Sequence, residues 1–129
     1  SQLKKQRLYL IFRCLYMAKK FIWINTQFEG FHSYPNAPDE VAFLRSSHRH
    51  IFYLKIHIEV RHNERDIEFI LFKRFIETFC IPKLNKMDLG SCETISDNLY
   101  KSINSIYPNR QIVITVSEDN ENGCSCRYD

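Results

Sequence analysis

The sequence predicts an α+β fold, an antiparallel four-stranded sheet with two helices on one face, in the order strand, strand, helix, helix, strand, strand. Three observations carry this reading. Alternating runs at residues 18–32 and 48–60 have the two-residue period of strands. Apolar residues then recur at helical spacing over Phe69, Phe72, Ile76, Phe79 and over Ile95, Leu99, Ile103, Ile106. A β-branched run at 111–117 closes the chain with a turn and a short strand. Helices grouped between strand pairs point to layers rather than to a parallel βαβ sheet.

The first strand runs from Ala18 to His32 and breaks at Tyr34-Pro35-Asn36-Ala37-Pro38-Asp39, where proline supplies no ladder donor. The long connection to His48 contains Val41–Arg45, one helical turn. It reads equally as a substrate lid or as a packed crossover. In the second strand His48, His50, Phe52, Leu54, Ile56, Ile58 and Val60 share one face, and Tyr53, Lys55, His57, Glu59 take the other. Arg61–Arg65 is a polar turn, Pro82 ends the first helix, and Ser91 caps a second helix that stops at Pro108. The aromatic stripe of the first helix belongs to the core. Asp119–Gly123 reads as a turn and Cys124–Asp129 as the closing strand.

At 129 residues with 44% hydrophobic and 14% aromatic content, the chain is one ordered globular domain, small enough that a sizeable pocket can require a partner subunit. The net charge of +3 belongs to the start: Lys4, Lys5, Arg7 and Arg13 stand in residues 1–16 with no acid. Without those four, 14 of the 18 basic residues face 15 acidic ones, a net of −1. No nucleic-acid footprint is expected on the domain. Residues 1–16 are too interrupted for a signal peptide, because Arg13 follows the short run Leu8–Phe12 and no small-residue cleavage site follows. Met17 reads as the natural start, with 17–129 as the domain and 1–16 as an extension, helix or strand. Five cysteines without C-x-x-C spacing suit reduced thiols in a cytoplasm, and no membrane partner is expected. Cys124-Ser125-Cys126 is a close pair without a clear partner for a metal. With only Gly30, Gly90 and Gly123, glycine-built phosphate cradles are excluded.

The chemistry concentrates at the end of the first hairpin. His48 and His50 converge at the mouth of an apolar face, and His32 ends the strand expected to pair with theirs. Neutral imidazole nitrogens are good ligands for a divalent metal, and three of them leave an open position. The plain alternative is a set of hydrogen-bonded surface histidines. Glu118 ends the third strand on the face of Ile112, Ile114 and Val116, and either pairs with the N–H edge of a flat heterocycle or begins a solvated turn.

At these residues the chain resembles the 6-pyruvoyl-tetrahydropterin and 6-carboxy-tetrahydropterin synthases of the tunnelling fold. Phe28-Glu29-Gly30-Phe31-His32 and His48-Arg49-His50 resemble that family's zinc motifs. Asp66–Lys73 is similar to the opening of its first helix, Ser91–Ile95 to that of its second, and Thr115–Glu118 to the strand whose glutamate holds the pterin ring. The resemblance covers residues 17–129. It implies zinc on His32, His48 and His50, a dihydropterin such as dihydroneopterin triphosphate as substrate, and ligand binding through Glu118 and Glu93. It also implies a trimeric barrel stacking to a hexamer, with pockets between subunits; closing the exposed sheet edges favours such a homo-oligomer on physical grounds too.

The resemblance is incomplete. The family places a catalytic cysteine before its His-x-His motif and an Asp-His pair after its first helix, whereas residues 33–47 contain no cysteine and 81–90 no such pair. The catalytic base is therefore unassigned. Asp88 and Glu93 are the nearest candidates, and His57 points from the wrong face. The readings that remain are a divergent synthase or lyase, an inactive zinc-containing module that binds a pterin- or purine-like ligand, and a structural oligomer.

Overall fold

The computed structural model describes residues 1–16 and 18–129. Met17, read above as the natural start, lies outside the described residues. The segment before it is a helix, α1 (Gln2–Tyr16). The sheet consists of β1 (Lys20–His32), β2 (His48–Val60), β3 (Ile112–Glu118) and β4 (Asn122–Tyr128). The strands follow chain order and every neighbour is antiparallel. Between β2 and β3 lie α2 (Phe69–Phe75) and α3 (Cys92–Ile106). This is the expected α+β order. No helix among the described residues is long and apolar enough to cross a membrane.

Alternation sorts the faces of the sheet. Phe52, Leu54, Ile56, Ile58, Ile112, Ile114 and Val116 are buried under α2 and α3. They meet Phe72 and Ile76 from the first helical segment and Ile95, Leu99 and Ile103 from α3 in one core. Burying such a side chain stabilises the fold by about 1.5–3 kcal/mol. Both helical stripes are shorter than their spacing predicts: Phe69 at the start of α2 is 55% exposed and Ile106 at the end of α3 is 54% exposed. Each lies at a helix end, beyond the sheet-facing turns.

α2 is capped by the Glu68 carboxylate, which accepts the Leu71 amide at 2.8 Å. It does not continue as an α-helix but widens to a π turn over Ile76–Cys80 and tightens to a 3₁₀ turn over Ile81–Lys83. Pro82 explains the change, because it has no amide hydrogen for the carbonyl four residues earlier. Ser91 caps α3 through the Thr94 amide, as its sequence predicts. The final hairpin is tighter than expected. Asp119 and Asn120 take positive φ angles of 53° and 60°, which matches the strand twist, and β4 therefore begins at Asn122 rather than Cys124.

The crossover between β1 and β2 lies largely exposed, with Ala37 its one buried residue, and is tied by hydrogen bonds within itself. A 3₁₀ turn over Asp39–Leu44 sits inside it. The Tyr34 amide donates to the Leu44 carbonyl at 2.7 Å, and Arg45 Nε donates to the Ala37 carbonyl at 2.9 Å.

At the opposite end of the sheet, Arg110 ties the start of β3 to the turn after β2. Its Nη1 donates to Asp66 Oδ2 at 2.7 Å and to the Glu59 carbonyl at 3.0 Å, while the Arg61 amide donates to the same Asp66 oxygen at 2.8 Å. The Arg110 hydrogen bond foremost, then the Arg61 amide, hold the Asp66 carboxyl below the usual carboxylate range. A depressed folded-state value means stability that is present above the unfolded value and lost as pH falls through the folded one. Asp66→Asn is therefore expected to cost about 2 kcal/mol at neutral pH, the worth of charged hydrogen bonds. In urea unfolding the gap from wild type should shrink below about pH 4; a gap constant down to pH 3 would contradict this origin.

Candidate metal centre and its cleft

The pairing of β1 with β2 sets His32 directly opposite His48 and Gly30 opposite His50. All three imidazoles project from the helix-covered face, where ring centroids lie 4.5 Å apart for His32 and His48 and 5.0 Å apart for each other pair. One ring nitrogen from each lies within 4.8 Å of the other two, and this is the one His/Cys/Asp/Glu set among the described residues able to hold an ion. Phe52, two residues after His50, closes the inner side with its ring 5.3 Å from His32 and 5.8 Å from His50.

What sets these rings apart from surface histidines is the way each Nδ1 is used. His32 Nδ1 donates to the Gly90 carbonyl at 2.8 Å, His48 Nδ1 to the Ser46 carbonyl at 2.8 Å, and His50 Nδ1 to Asp119 Oδ2 at 2.6 Å. A carbonyl only accepts, and so does an ionised carboxylate, so the proton of each neutral ring resides on Nδ1. Each Nε2 is then a bare lone pair facing the other two. His48 Nε2 and His50 Nε2 are buried without a hydrogen-bond partner. Buried polar atoms are rarely left unpaired in proteins, and tying back the outer ring nitrogen is the usual way to orient a metal-binding histidine. Nitrogens sharing one ion at about 2.1 Å stand roughly 3.4 Å apart, so a small closure of the rings would seat it. The residues fit a divalent metal.

The supports come from three places. Gly90, whose φ of +76° suits glycine, ends a strap that runs along the outer edge of β1. The Phe31 amide donates to the Lys86 carbonyl at 2.7 Å, and the Leu89 amide to the Phe31 carbonyl at 3.0 Å. Leu89 lies so close over Gly30 that a β-carbon there would stand 2.3 Å from Leu89 Cδ1. Asp119 also accepts the Ile51 amide through Oδ1 at 3.0 Å. His50 foremost, then the Ile51 amide, hold its carboxyl below the usual range.

Beside the histidines opens a cleft of about 520 Å³, within the range of small-molecule sites. Ser33, Tyr34 and Leu44 from the crossover form one wall, and Gly90–Glu93 with Glu118, Asn122 and Gly123 form the other. Glu118 stands on the expected face, opposite Phe52 in the register. Its carboxylate turns to the histidines, with Oε1 3.2 Å from His32 Nε2 and Oε2 3.6 Å from His50 Nε2.

Glu93 lines the cleft, whereas Asp88 is exposed on the strap and does not. His57 lies on the other sheet face, as its position predicts, stacked obliquely near Trp23. Sequence reasoning gave no role to two further groups. Cys92, the first residue of α3, lines the cleft; burial foremost, then the Glu118 and Glu93 carboxylates, push its thiol up to about 11, so it is a protonated thiol at neutral pH. Asp119, a turn residue by sequence, is the other. Its signal was the register: with Glu118 opposite Phe52, the next residue must reach the segment just before Phe52, where His50 lies. Cys80, Cys92, Cys124 and Cys126 are free, and the Cys124 and Cys126 sulfurs stand 4.0 Å apart outside the histidine set.

No protein-family model matches this chain, and no curated protein matches it significantly.

Because Asp119 is the only charged partner of the outer nitrogens, Asp119→Ala is expected to lower affinity for a divalent metal roughly 10- to 100-fold. Competition with a chromophoric chelator measures this. Unchanged affinity would show that the carboxylate does not support the ring.

Proposed function

We propose that the protein is a zinc-dependent relative of the 6-pyruvoyl- and 6-carboxy-tetrahydropterin synthases, with the tunnelling fold, that acts on a dihydropterin. The observation that carries the proposal is the convergence of three Nε2 lone pairs, each fixed by its own Nδ1 bond, beside a cleft that His32 and His48 line. The order of motifs along the chain and the four-stranded antiparallel sheet support it as well.

His32, His48 and His50 would hold the zinc. When bound, the ion supplies Lewis-acid polarisation of ligand oxygens and fixes their position. The chain supplies the rest. Glu93 and Glu118 offer carboxylate oxygens to the N–H groups along the edge of a flat ring, where two parallel hydrogen bonds satisfy both partners. Tyr34 and Leu44 provide the wall that shields the ring from water.

A second reading, a zinc-containing module that binds a pterin- or purine-like ligand without converting it, is favoured by one observation. The stretches that carry the resembled family's cysteine and Asp-His pair, residues 33–47 and 81–90, hold neither here. Metal analysis with calorimetry and a turnover assay decides between them. Wild type is expected to carry about one zinc per subunit and His48→Ala/His50→Ala none. Turnover of dihydroneopterin triphosphate supports the synthase, and binding of pterins or guanine compounds without turnover supports the module. A wild type that neither contains nor takes up zinc contradicts both.

The assembly belongs to the same proposal. β1 and β4 are the edges of the sheet, and the face away from the helices leaves Trp23 52% exposed under Lys55 Nζ. Edge pairing into a trimeric barrel, stacked to a hexamer, would cover both. Light scattering is expected to give a trimer or hexamer; a monomer at micromolar concentration would contradict it.

A further inference from the structure

Resting on the three-histidine zinc reading, we infer that Glu118 is a fourth protein ligand of the ion, closing its coordination while the cleft is empty. His32 Nδ1 donates to the Gly90 carbonyl and His50 Nδ1 to the Asp119 carboxylate, so in the neutral rings both Nε2 atoms are acceptors. Each of them faces an oxygen of Glu118, at 3.2 Å and 3.6 Å. A carboxylate is also an acceptor, so with neutral rings these are lone pairs pointed at lone pairs, an arrangement that a proton on Nε2 or a metal ion between them relieves. The spacing is that of two ligands on one small ion: bonds of about 2.1 Å at tetrahedral angles separate donor atoms by roughly 3.4 Å. Glu118 meets this through a different oxygen for each of two rings, Oε1 for His32 and Oε2 for His50, and would turn one of them to the ion to join the three-histidine set.

The environment agrees. The Glu118 side chain is only 23% exposed and ends a strand whose other same-face residues are fully buried. A carboxylate there is costly unless a charge answers it. No lysine or arginine lines this cleft, and the ion is the group that would supply that charge. Glu118 thereby gains two uses. It completes the ion's ligand set in the empty protein, and an arriving ring ligand must displace it, which frees the carboxylate to turn to the ring's N–H edge. The class of ligand that opens such a site carries both an oxygen donor for the ion and adjacent N–H donors for the released glutamate.

The experiment uses the zinc- and cobalt(II)-loaded full chain. In wild type the cobalt absorption spectrum is expected to be indifferent to added acetate, because four protein ligands close the site. In Glu118→Gln, an isosteric change, acetate is expected to alter the spectrum, and zinc affinity by chelator competition is expected to fall at least about 10-fold. A circular dichroism spectrum matching wild type establishes that the variant is folded, and the wild-type acetate titration stands without any variant. Zinc affinity and a cobalt spectrum in Glu118→Gln equal to wild type, or an acetate-sensitive wild type, would overturn the role of Glu118 while leaving the three-histidine centre standing. A wild type that binds neither metal would overturn both together.

Discussion

The antiparallel register of the first three strands is the constraint on which everything else depends. Pairing His32 with His48 and Phe52 with Glu118 brings three imidazoles and one carboxylate from three strands to one corner of the sheet. A slip of one residue in β2 would turn both of its histidines to the opposite face and replace them by Arg49 and Ile51. The register is in turn held by the core, because the same slip would expose Phe52, Leu54, Ile56 and Ile58, all essentially inaccessible to solvent. Core packing and site geometry are therefore one property of this chain. The hydrophobic effect, which knows nothing of metals, fixes where the histidines converge.

Orientation is a separate matter from position, and it comes from segments outside the ladder. The strap from Lys86 to Gly90 lies along β1 because glycine at position 30 leaves room for Leu89, and the strap ends with the carbonyl that holds His32. The hairpin between β3 and β4 needs positive φ at Asp119 and Asn120, and that tight turn puts the Asp119 carboxylate on His50. Both devices use residues suited to left-handed backbone, Gly90 and Asp119, as the support of a metal-type histidine. Backbone conformation, rather than side-chain packing, sets the direction of these two rings.

Much of this was legible in the chain. The two-residue alternation placed β1 and β2 and the faces of all three histidines, and the helical stripe with Ser91 and Pro108 placed α3. The site's supports were less accessible. Nothing in Lys86-Met87-Asp88-Leu89-Gly90 has a period, so the strap could be found only from its hydrogen bonds to Phe31. Cys92 looked like one of several scattered cysteines until the start of α3 was placed beside Glu118. Asp88 and Glu93 seemed equivalent acids five residues apart, yet only Glu93 faces the cleft, because the helix begins between them. Long-range partners of loop residues are set by tertiary register, which local patterns do not encode.

The central claim is that His32, His48 and His50 are held as Nδ1–H rings whose Nε2 atoms are reserved for one metal ion. Long-range ¹H–¹⁵N correlation of the histidine side chains, before and after one equivalent of zinc, reads it directly. The account predicts the Nδ1–H form for all three neutral rings, and a joint displacement of their three Nε2 resonances when zinc is added, with His57 and His62 unmoved. Nε2–H rings at these positions, or zinc that leaves the three resonances where they were, would contradict it.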